Sequence, residues 1–229
     1  MPGTVRTLHI NTTGRAMRMR STTRVLAVGA LLAISLAACS QPEAQITTHT
    51  DPDRLSLIEV PSEWHLYEPE EMAELESQVF TADIDGLPIE YSIAFDGAPS
   101  RDPENVNTPF LTADFPVGAS IIRRVDEGVR DAISQRLLSQ VAVPYEGLQI
   151  TPELQEPFEF AEGFDGVRQL AVYTDPASGN EAAVYLISVT DDEDARIYSV
   201  AVGCSVECFM EHQEKISEVV DSWLVNVRA

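Results

Sequence analysis

The chain has few of the residues that enzymes use for nucleophilic, acid–base or metal chemistry. Its 229 residues include only three cysteines and four histidines. No G-x-S-x-G, S-x-x-K or H-E-x-x-H pattern occurs, so the signatures of several hydrolase classes are missing. Few groups are therefore left that could act as a nucleophile or a general base. These absences favour a protein that binds over one that catalyses.

Basic residues are also scarce. The sequence has 15 Lys and Arg against 37 Asp and Glu, which gives a formal net charge of −22 at pH 7. Such a field repels phosphate backbones and anionic lipid head groups, and it lacks the basic patch that nucleic-acid binding requires. We therefore exclude nucleic acid as a partner. The acidic excess is compatible with cationic partners or divalent ions, and most simply with solubility outside the cell.

The amino-terminal segment lacks acidic residues, because the first one in the chain is Glu43. Arginines in this segment precede an uncharged apolar run from Val25 to Ala38. That run is shorter than the ~20 residues that span a bilayer, and it ends in small residues, as the core of a signal peptide does. Met17 and Met19 each begin a leader of more usual length, and a start at either would leave the mature chain unchanged.

The end of this run, Leu36-Ala37-Ala38-Cys39, resembles the bacterial lipobox, in which small residues precede a cysteine that receives a diacylglycerol. The resemblance implies that residues 1–38 are a signal peptide and that Cys39 becomes the lipidated first residue of a membrane-anchored lipoprotein. Two or more acyl chains would make this anchor stable. The alternative is an ordinary secretory peptide whose cleavage site happens to precede a cysteine.

The remainder is predicted to consist of a short tether and one domain. Residues 39–53 are polar and have no apolar period, which is typical of a flexible tether that starts at the lipidated cysteine. Residues 54–229 have the length of a single domain. Apolar or alternating runs bounded by turn signals predict strands in it. They cover residues 55–60, 74–80, 88–95, 166–174, 182–190 and 196–203.

Two helices and one long loop complete the prediction. Residues 126–140 carry apolar side chains four apart, as an amphipathic helix requires, with Asp126 as its N-cap. A second apolar stripe, from about 206 to 225, predicts a terminal helix that docks on the sheet. The segment from Asp96 to Pro116 contains four prolines and is predicted to be a loop. Residues 143–163 are again rich in Pro and Glu.

Strands joined by tight turns, with one central and one terminal helix, predict an α+β fold: an α/β/α sandwich on a mainly antiparallel sheet. Several motifs resemble LpqN-type actinobacterial lipoproteins, which have a PsbP-like fold. These are V-P-S-E-W at 60–64, F-D-G-x-R at 164–168, C-x3-C-F at 204–209 and I-x-x-V-V-x-S-W at 216–223. The resemblance covers roughly residues 55–225. It implies a PsbP-like sandwich and a non-enzymatic binding or accessory role, with no catalytic residue to carry over.

The three cysteines divide into one lipid site and one pair. With Cys39 assigned to lipid, Cys204 and Cys208 are predicted to form a disulfide in a compartment that permits it. A strand-to-helix turn between them would bring their Cα atoms within bonding range. The alternative is a metal site, because a helix that already includes Cys204 would place Cys204, Cys208 and His212 on one face. That set lacks a fourth ligand, so no metal or other cofactor is expected.

Two clusters of carboxylates are interpreted as exposed surface. Asp191 to Asp194 lack the spacing of a calcium loop and are predicted to form a solvated hairpin tip. The glutamates between 68 and 76 predict a charged, exposed face. Some close pair is inevitable among 37 acidic residues, so a pair alone is weak evidence for glycosidase-like chemistry.

The leading functional hypothesis is a membrane-anchored, extracytoplasmic lipoprotein with a non-catalytic binding domain. Its partner would be a cell-envelope component, another protein or an apolar ligand, held between sheet and helices or along the loop from Asp96 to Pro116. One alternative is a small envelope hydrolase that uses acidic residues. A second is a metal-binding lipoprotein that uses Cys204, Cys208 and His212.

Overall fold

Seven antiparallel strands form the larger of two sheets, in the spatial order β3-β4-β5-β9-β8-β7-β6. The structure is a computed structural model that describes residues 46–50, 56–73, 84–143, 147–161, 163–191 and 195–225, all within the compact unit Ala44–Ala229. The strands of this sheet are β3 His65–Tyr67, β4 Ile89–Asp96, β5 Val117–Arg124, β6 Gln149–Ala161, β7 Phe164–Thr174, β8 Glu181–Asp191 and β9 Arg196–Ser205.

The alternating runs of the sequence correspond to the central strands of this sheet. β7 pairs with β8 and β8 with β9, each antiparallel, so the strands predicted over 166–174, 182–190 and 196–203 are confirmed as neighbours. Gly86, in the turn before β4, has the positive φ of 77° that favours glycine. The fold is an α+β fold with mainly antiparallel sheets, as predicted. The strand predicted at 74–80 lies outside the described residues.

The second sheet has three strands, β1 Ile46–Thr50, β2 Ser56–Pro61 and β10 Leu224–Val225, with β2 in the middle. The prediction of a flexible tether over 39–53 is therefore wrong for the five residues of β1. This strand pairs antiparallel with β2, and Thr48 lies opposite Glu59. Its threonines are β-branched and suit a strand, but their polarity hides that preference in a hydrophobicity pattern.

The predicted helix over 126–140 is wrong as a single element. The structure has a 3₁₀ helix at Glu127–Ala132 and a separate α-helix, here α2, at Gln135–Val141. Ser134 adopts extended backbone angles, and its hydroxyl accepts a hydrogen bond from the Leu137 amide, so it begins a new helix as an N-cap. Asp126, the predicted cap, makes no side-chain capping bond.

The other helices are short, except for the last. α1 covers Pro69–Ala73, a 3₁₀ helix covers Pro103–Asn107, and α3 covers Val206–Ser222. α3 confirms the predicted terminal helix, and its stripe of Phe209, Ile216 and Val220 is buried.

The two longer helices lie on opposite faces of the seven-stranded sheet. Side chains alternate along a strand, so neighbouring residues of β7 point to opposite faces. Arg168 reaches Asp221 of α3, whereas Gln169 lines a groove beside α2. We call these the α3 face and the α2 face. This arrangement is the predicted α/β/α sandwich.

A disulfide joins the end of β9 to the first turn of α3. Cys204 and Cys208 are bonded, with their Cα atoms 5.9 Å apart, and both residues are buried. The one-face arrangement required by the alternative metal site, with His212 as the third ligand, is wrong. α3 begins at Val206, so Cys204 belongs to the strand and not to the helix.

The loop between β4 and β5 is part of the core. Val106, Phe110 and Ala113 are at most 1% exposed, which is unusual for a loop that serves only as a connection. The hydroxyl of Tyr67 donates a 2.6 Å hydrogen bond to the buried carboxylate of Asp96 and anchors the start of the loop. Burial first, and then this hydrogen bond, raise the pKa of Tyr67.

β6 is the outer strand of the larger sheet and comes from the Pro- and Glu-rich segment for which no element is predicted. It is 13 residues long and pairs with β7 along its length. It includes Pro152 and Pro157, which are tolerated because only one side of an outer strand has a neighbour. Most of its described side chains are exposed.

Candidate binding site on the α2 face

α2 covers only part of the sheet beneath it. The helix has seven residues, from Gln135 to Val141, and it buries Leu138 and Val141 against the sheet. Ser134 caps α2 and so fixes where the helix starts. The start of the helix determines which of its side chains face the sheet and which are exposed. A helix of this length spans about 10 Å. Grooves therefore remain along its flanks.

The first groove lies between the start of α2 and the ends of β6, β7 and β8. Its volume is about 330 Å³. Its acidic side chains, Glu159 and Asp165, are direct neighbours across β6 and β7 and are exposed. The lining residues are Ile133, Ser134, Gln135, Leu138, Pro157, Phe158, Glu159, Asp165, Gly166 and Thr190.

The second groove lies between α2 and the middle of β6 and β7, with a volume of about 370 Å³. The helix contributes residues three and four apart, which share one side of a helix. β6 and β7 contribute the rest. The lining residues are Arg136, Ser139, Gln140, Ile150, Pro152, Gln155 and Gln169. No carboxylate is among them, although acidic residues far outnumber basic ones in the chain.

Gln169 is the buried member of this second groove. It is 4% exposed and lies directly across from the exposed Gln155 of β6. Its carboxamide makes no hydrogen bond to another residue in the described part of the chain, and its oxygen and nitrogen are not among the fully buried atoms without a partner, so they reach the groove. A carboxamide that reaches a groove can be hydrogen-bonded by water or by a ligand. The side chain is therefore placed to receive a partner from the groove.

Arg136 is the cation of the second groove. It is exposed on α2 and makes no ion pair with any carboxylate that the structure describes. Ser139 donates its hydroxyl hydrogen to the Arg136 carbonyl at 2.9 Å, which leaves the hydroxyl oxygen free to accept. α2 thus provides the second groove with one acceptor, the Ser139 hydroxyl oxygen, and with one positive charge, the Arg136 guanidinium.

The polar residues of the α3 face contact one another, although Nε of Arg168 is buried without a hydrogen-bond partner in the described part of the chain. Arg168 lies 3.6 Å from the carboxylate of Asp221, and its guanidinium stacks over the Phe158 ring. The Tyr185 hydroxyl donates a 2.9 Å hydrogen bond to the same carboxylate. Burial, followed by the charge of Asp221, raises the pKa of Tyr185. This cluster ties α3 to the sheet.

Among the residues that the structure describes, the site residues predicted from sequence do not assemble into one place. Cys39 and residues 192–194 of the acidic tip lie outside the described residues. Of the glutamates between 68 and 76, Glu71 pairs with Arg101 at 2.8 Å. Cys204 and Cys208 are bonded to each other.

Sequence reasoning missed both Gln169 and Arg136. A polar residue inside the apolar strand run at 166–174 is the one signal that could have pointed to Gln169. Nothing in the sequence marks Arg136.

The described residues contain neither a group of metal ligands nor a membrane-spanning helix. In that part of the chain, no group of three or more His, Cys, Asp or Glu side chains is placed to hold a metal ion. None of the helices found there is long and apolar enough to cross a bilayer.

Comparisons with known proteins find similar structures but no family. No family model matches the chain, and no curated protein matches it significantly. A cyanobacterial PsbP from Synechocystis is 13% identical, with a TM-score of 0.48, and the match covers 83% of this chain and 99% of that one. LpqN of Mycobacterium tuberculosis, described as involved in cell envelope biogenesis, is 14% identical, with a TM-score of 0.45 and coverage of 80% and 91%.

The Ran-binding protein Mog1p of Saccharomyces cerevisiae is also similar. It is 8% identical, with a TM-score of 0.47 and coverage of 80% and 96%. A PsbP and LpqN, the two proteins of the sequence-based resemblance, are thus both among the structures to which the chain is similar.

Proposed function

We propose that this protein is an exported lipoprotein, anchored through lipid on Cys39, whose domain is a non-catalytic binding module. It acts outside the cytoplasm on a component of the cell envelope, which is a partner protein or a small ligand. The lipobox-like end of the leader supports the anchor. The α2 face supports the binding role.

The observation that carries the binding role is the unequal cover of the sheet. α3 closes one face with 17 residues, whereas α2 leaves two grooves of about 330 and 370 Å³ on the other. Volumes of this size are common for ligand sites, which occur where elements meet on a rigid scaffold.

The anchor is tested by Cys39→Ser in cells that are fed an alkyne-bearing fatty acid. We expect the wild type to carry the label and to sediment with membranes, and the variant to lose both properties, because serine has no thiol to acylate. Ser40→Ala is the matched control, since it changes the adjacent residue and keeps the thiol. Label and membrane association retained in Cys39→Ser would contradict the anchor.

The binding face is tested by placing a photo-reactive benzoylphenylalanine at Gln140, which lines the second groove. Met210 is the matched control, because it is 52% exposed on α3. We expect crosslinked adducts from position 140 in intact cells, and few from position 210. Added unlabelled protein should compete for them. Equal yields at the two positions would argue against the α2 face.

A hydrolase would use Glu159 and Asp165, the carboxylates that face each other in the first groove. Both are exposed, whereas acid–base chemistry by a carboxyl pair requires one carboxyl held in an apolar setting that excludes water. The geometry therefore supports binding better than catalysis.

A further inference from the structure

The second groove has the donors and acceptors of a site that recognises amides. Three of its lining side chains, Gln140, Gln155 and Gln169, are carboxamides. A carboxamide carries both a donor and an acceptor, as the peptide group does, so the two can pair reciprocally. An acyl chain would offer no hydrogen bond to these groups.

The need for a ligand that both donates and accepts hydrogen bonds is strictest at Gln169. The residue is 4% exposed, and its carboxamide, which has no hydrogen-bond partner in the described part of the chain, reaches the groove. Water can satisfy such a group, but a ligand that supplies both a carbonyl and an N–H does so with less disorder than separate waters. An apolar ligand that displaced water from the groove would leave the Gln169 amide unpaired, at a cost in affinity.

The positive charge of the second groove further limits the class of ligand that it can bind. Arg136 brings a guanidinium with no described carboxylate beside it, and the groove has no acidic lining residue. A guanidinium binds a carboxylate through two parallel hydrogen bonds. The first groove, with Glu159 and Asp165, would repel the same group. An anionic end of a ligand therefore belongs beside Arg136.

The remaining wall is apolar. Ile150 is 43% exposed on β6, and Pro152 lies two residues further along the same strand. Together they form an apolar surface on which a small aliphatic side chain can pack. Hydrogen bonds alone would not select a ligand with such a side chain.

We propose that this groove binds the carboxyl-terminal end of a peptide with small, uncharged side chains. Gln169 pairs with a peptide group, Arg136 binds the terminal carboxylate, and Ile150 contacts an aliphatic side chain. The inference rests on the proposed binding role of the α2 face and names its ligand class. The groove volume of about 370 Å³ limits the bound part to a short terminal segment.

The test is calorimetric titration of the full-length protein, purified as cells make it, with N-acetyl-dialanine and with its carboxyl-terminal amide. We expect saturable binding of the free carboxylate and about tenfold weaker binding of the amide, since a tenfold ratio corresponds to one charge-assisted contact. Arg136→Gln should abolish this preference. Arg130→Gln is the matched control: it removes the same charge from a residue outside the groove and should change neither affinity.

Gln169→Met removes the carboxamide and keeps the length of the side chain, and it should weaken both ligands about tenfold. Its melting curve shows whether the domain stays folded. Gln155→Ala provides a second variant at an exposed position, and it should also weaken both ligands.

Three results would overturn the peptide proposal: no saturable binding by the wild type, equal affinity for acid and amide, or affinities unchanged in Arg136→Gln and Gln169→Met. The proposed function fails differently. Loss of the adducts at position 140 would remove the binding role itself. Adducts that persist while both peptides fail to bind would show that the α2 face takes another ligand class.

Discussion

The two faces of the seven-stranded sheet differ in how completely they are closed. On the α3 face, 17 helical residues pack five buried side chains against the sheet and the second sheet, and a disulfide fixes the start of the helix. On the α2 face, seven helical residues bury two side chains. The comparison indicates that the α3 helix buries more side chains than the α2 helix, which is compatible with the binding role proposed for the α2 face.

Polar groups show the same division. Arg168 and Lys215 both have carboxylate partners near α3, in Asp221 and Glu63. Beside α2, Arg136 has no carboxylate partner and Gln169 no hydrogen-bond partner among the described residues. Arg136 is exposed, so water solvates its charge and the lack of an ion pair costs little stability.

The largest loss of stability is expected for Trp223→Ala on the α3 face. Trp223 is 1% exposed at the end of α3, and its indole N–H donates a 3.2 Å hydrogen bond to the Ser120 hydroxyl. We expect the free energy of unfolding to fall by about 3–5 kcal/mol in urea titration, because the change leaves a cavity. Met210→Ala, on the exposed side of α3, should change it by less than about 0.5 kcal/mol. Similar losses for both would contradict the stabilising role of the α3 face.

The second prediction concerns the disulfide of the α3 face. The double variant Cys204→Ser and Cys208→Ser should lose roughly 2 kcal/mol of stability, because a bond that closes so short a loop restricts the unfolded chain only modestly. Reductant should destabilise the wild type and not the variant. Intact mass with and without reductant should differ by two hydrogens. An unchanged mass would show that the bond does not form.

The smallest change in the free energy of unfolding is expected on the α2 face, and there it is an increase. Gln169→Met should raise the free energy of unfolding by up to about 1 kcal/mol, because a mostly buried carboxamide with no hydrogen-bond partner among the described residues is replaced by an apolar side chain of similar length. Thermal melting measures it, with Gln155→Met at the exposed neighbour as the control. A loss of stability in Gln169→Met would show that the carboxamide has a stabilising partner.

The sequence predicts the strongly patterned elements well. Phe209, Ile216 and Val220 recur at helical spacing, and the strands β7, β8 and β9 alternate between clear turn signals, so period alone locates them. Elements with a weak hydrophobic pattern are predicted poorly from the sequence. Ser134 splits the central helix through a single capping bond, which an apolar period does not register.

The candidate site was less predictable than the fold. The prolines of β6 favour a loop in the sequence but are compatible with an outer strand in the structure. Whether Gln169 has a partner depends on side chains from three elements that are distant in sequence, and no local pattern reports it. The disulfide was predictable, because its two cysteines are close in sequence and a third was assigned to lipid.

β6 has a consequence for how copies of this protein behave together. An outer strand of 13 residues is a template on which another copy could add its own strand, and proteins held on a membrane surface meet more often than free ones. Pro152 and Pro157 each lack the N–H that such pairing requires, while Glu153 and Glu156 would bring like charges together. These residues oppose strand pairing between copies, an effect that would matter most in the proposed anchored state.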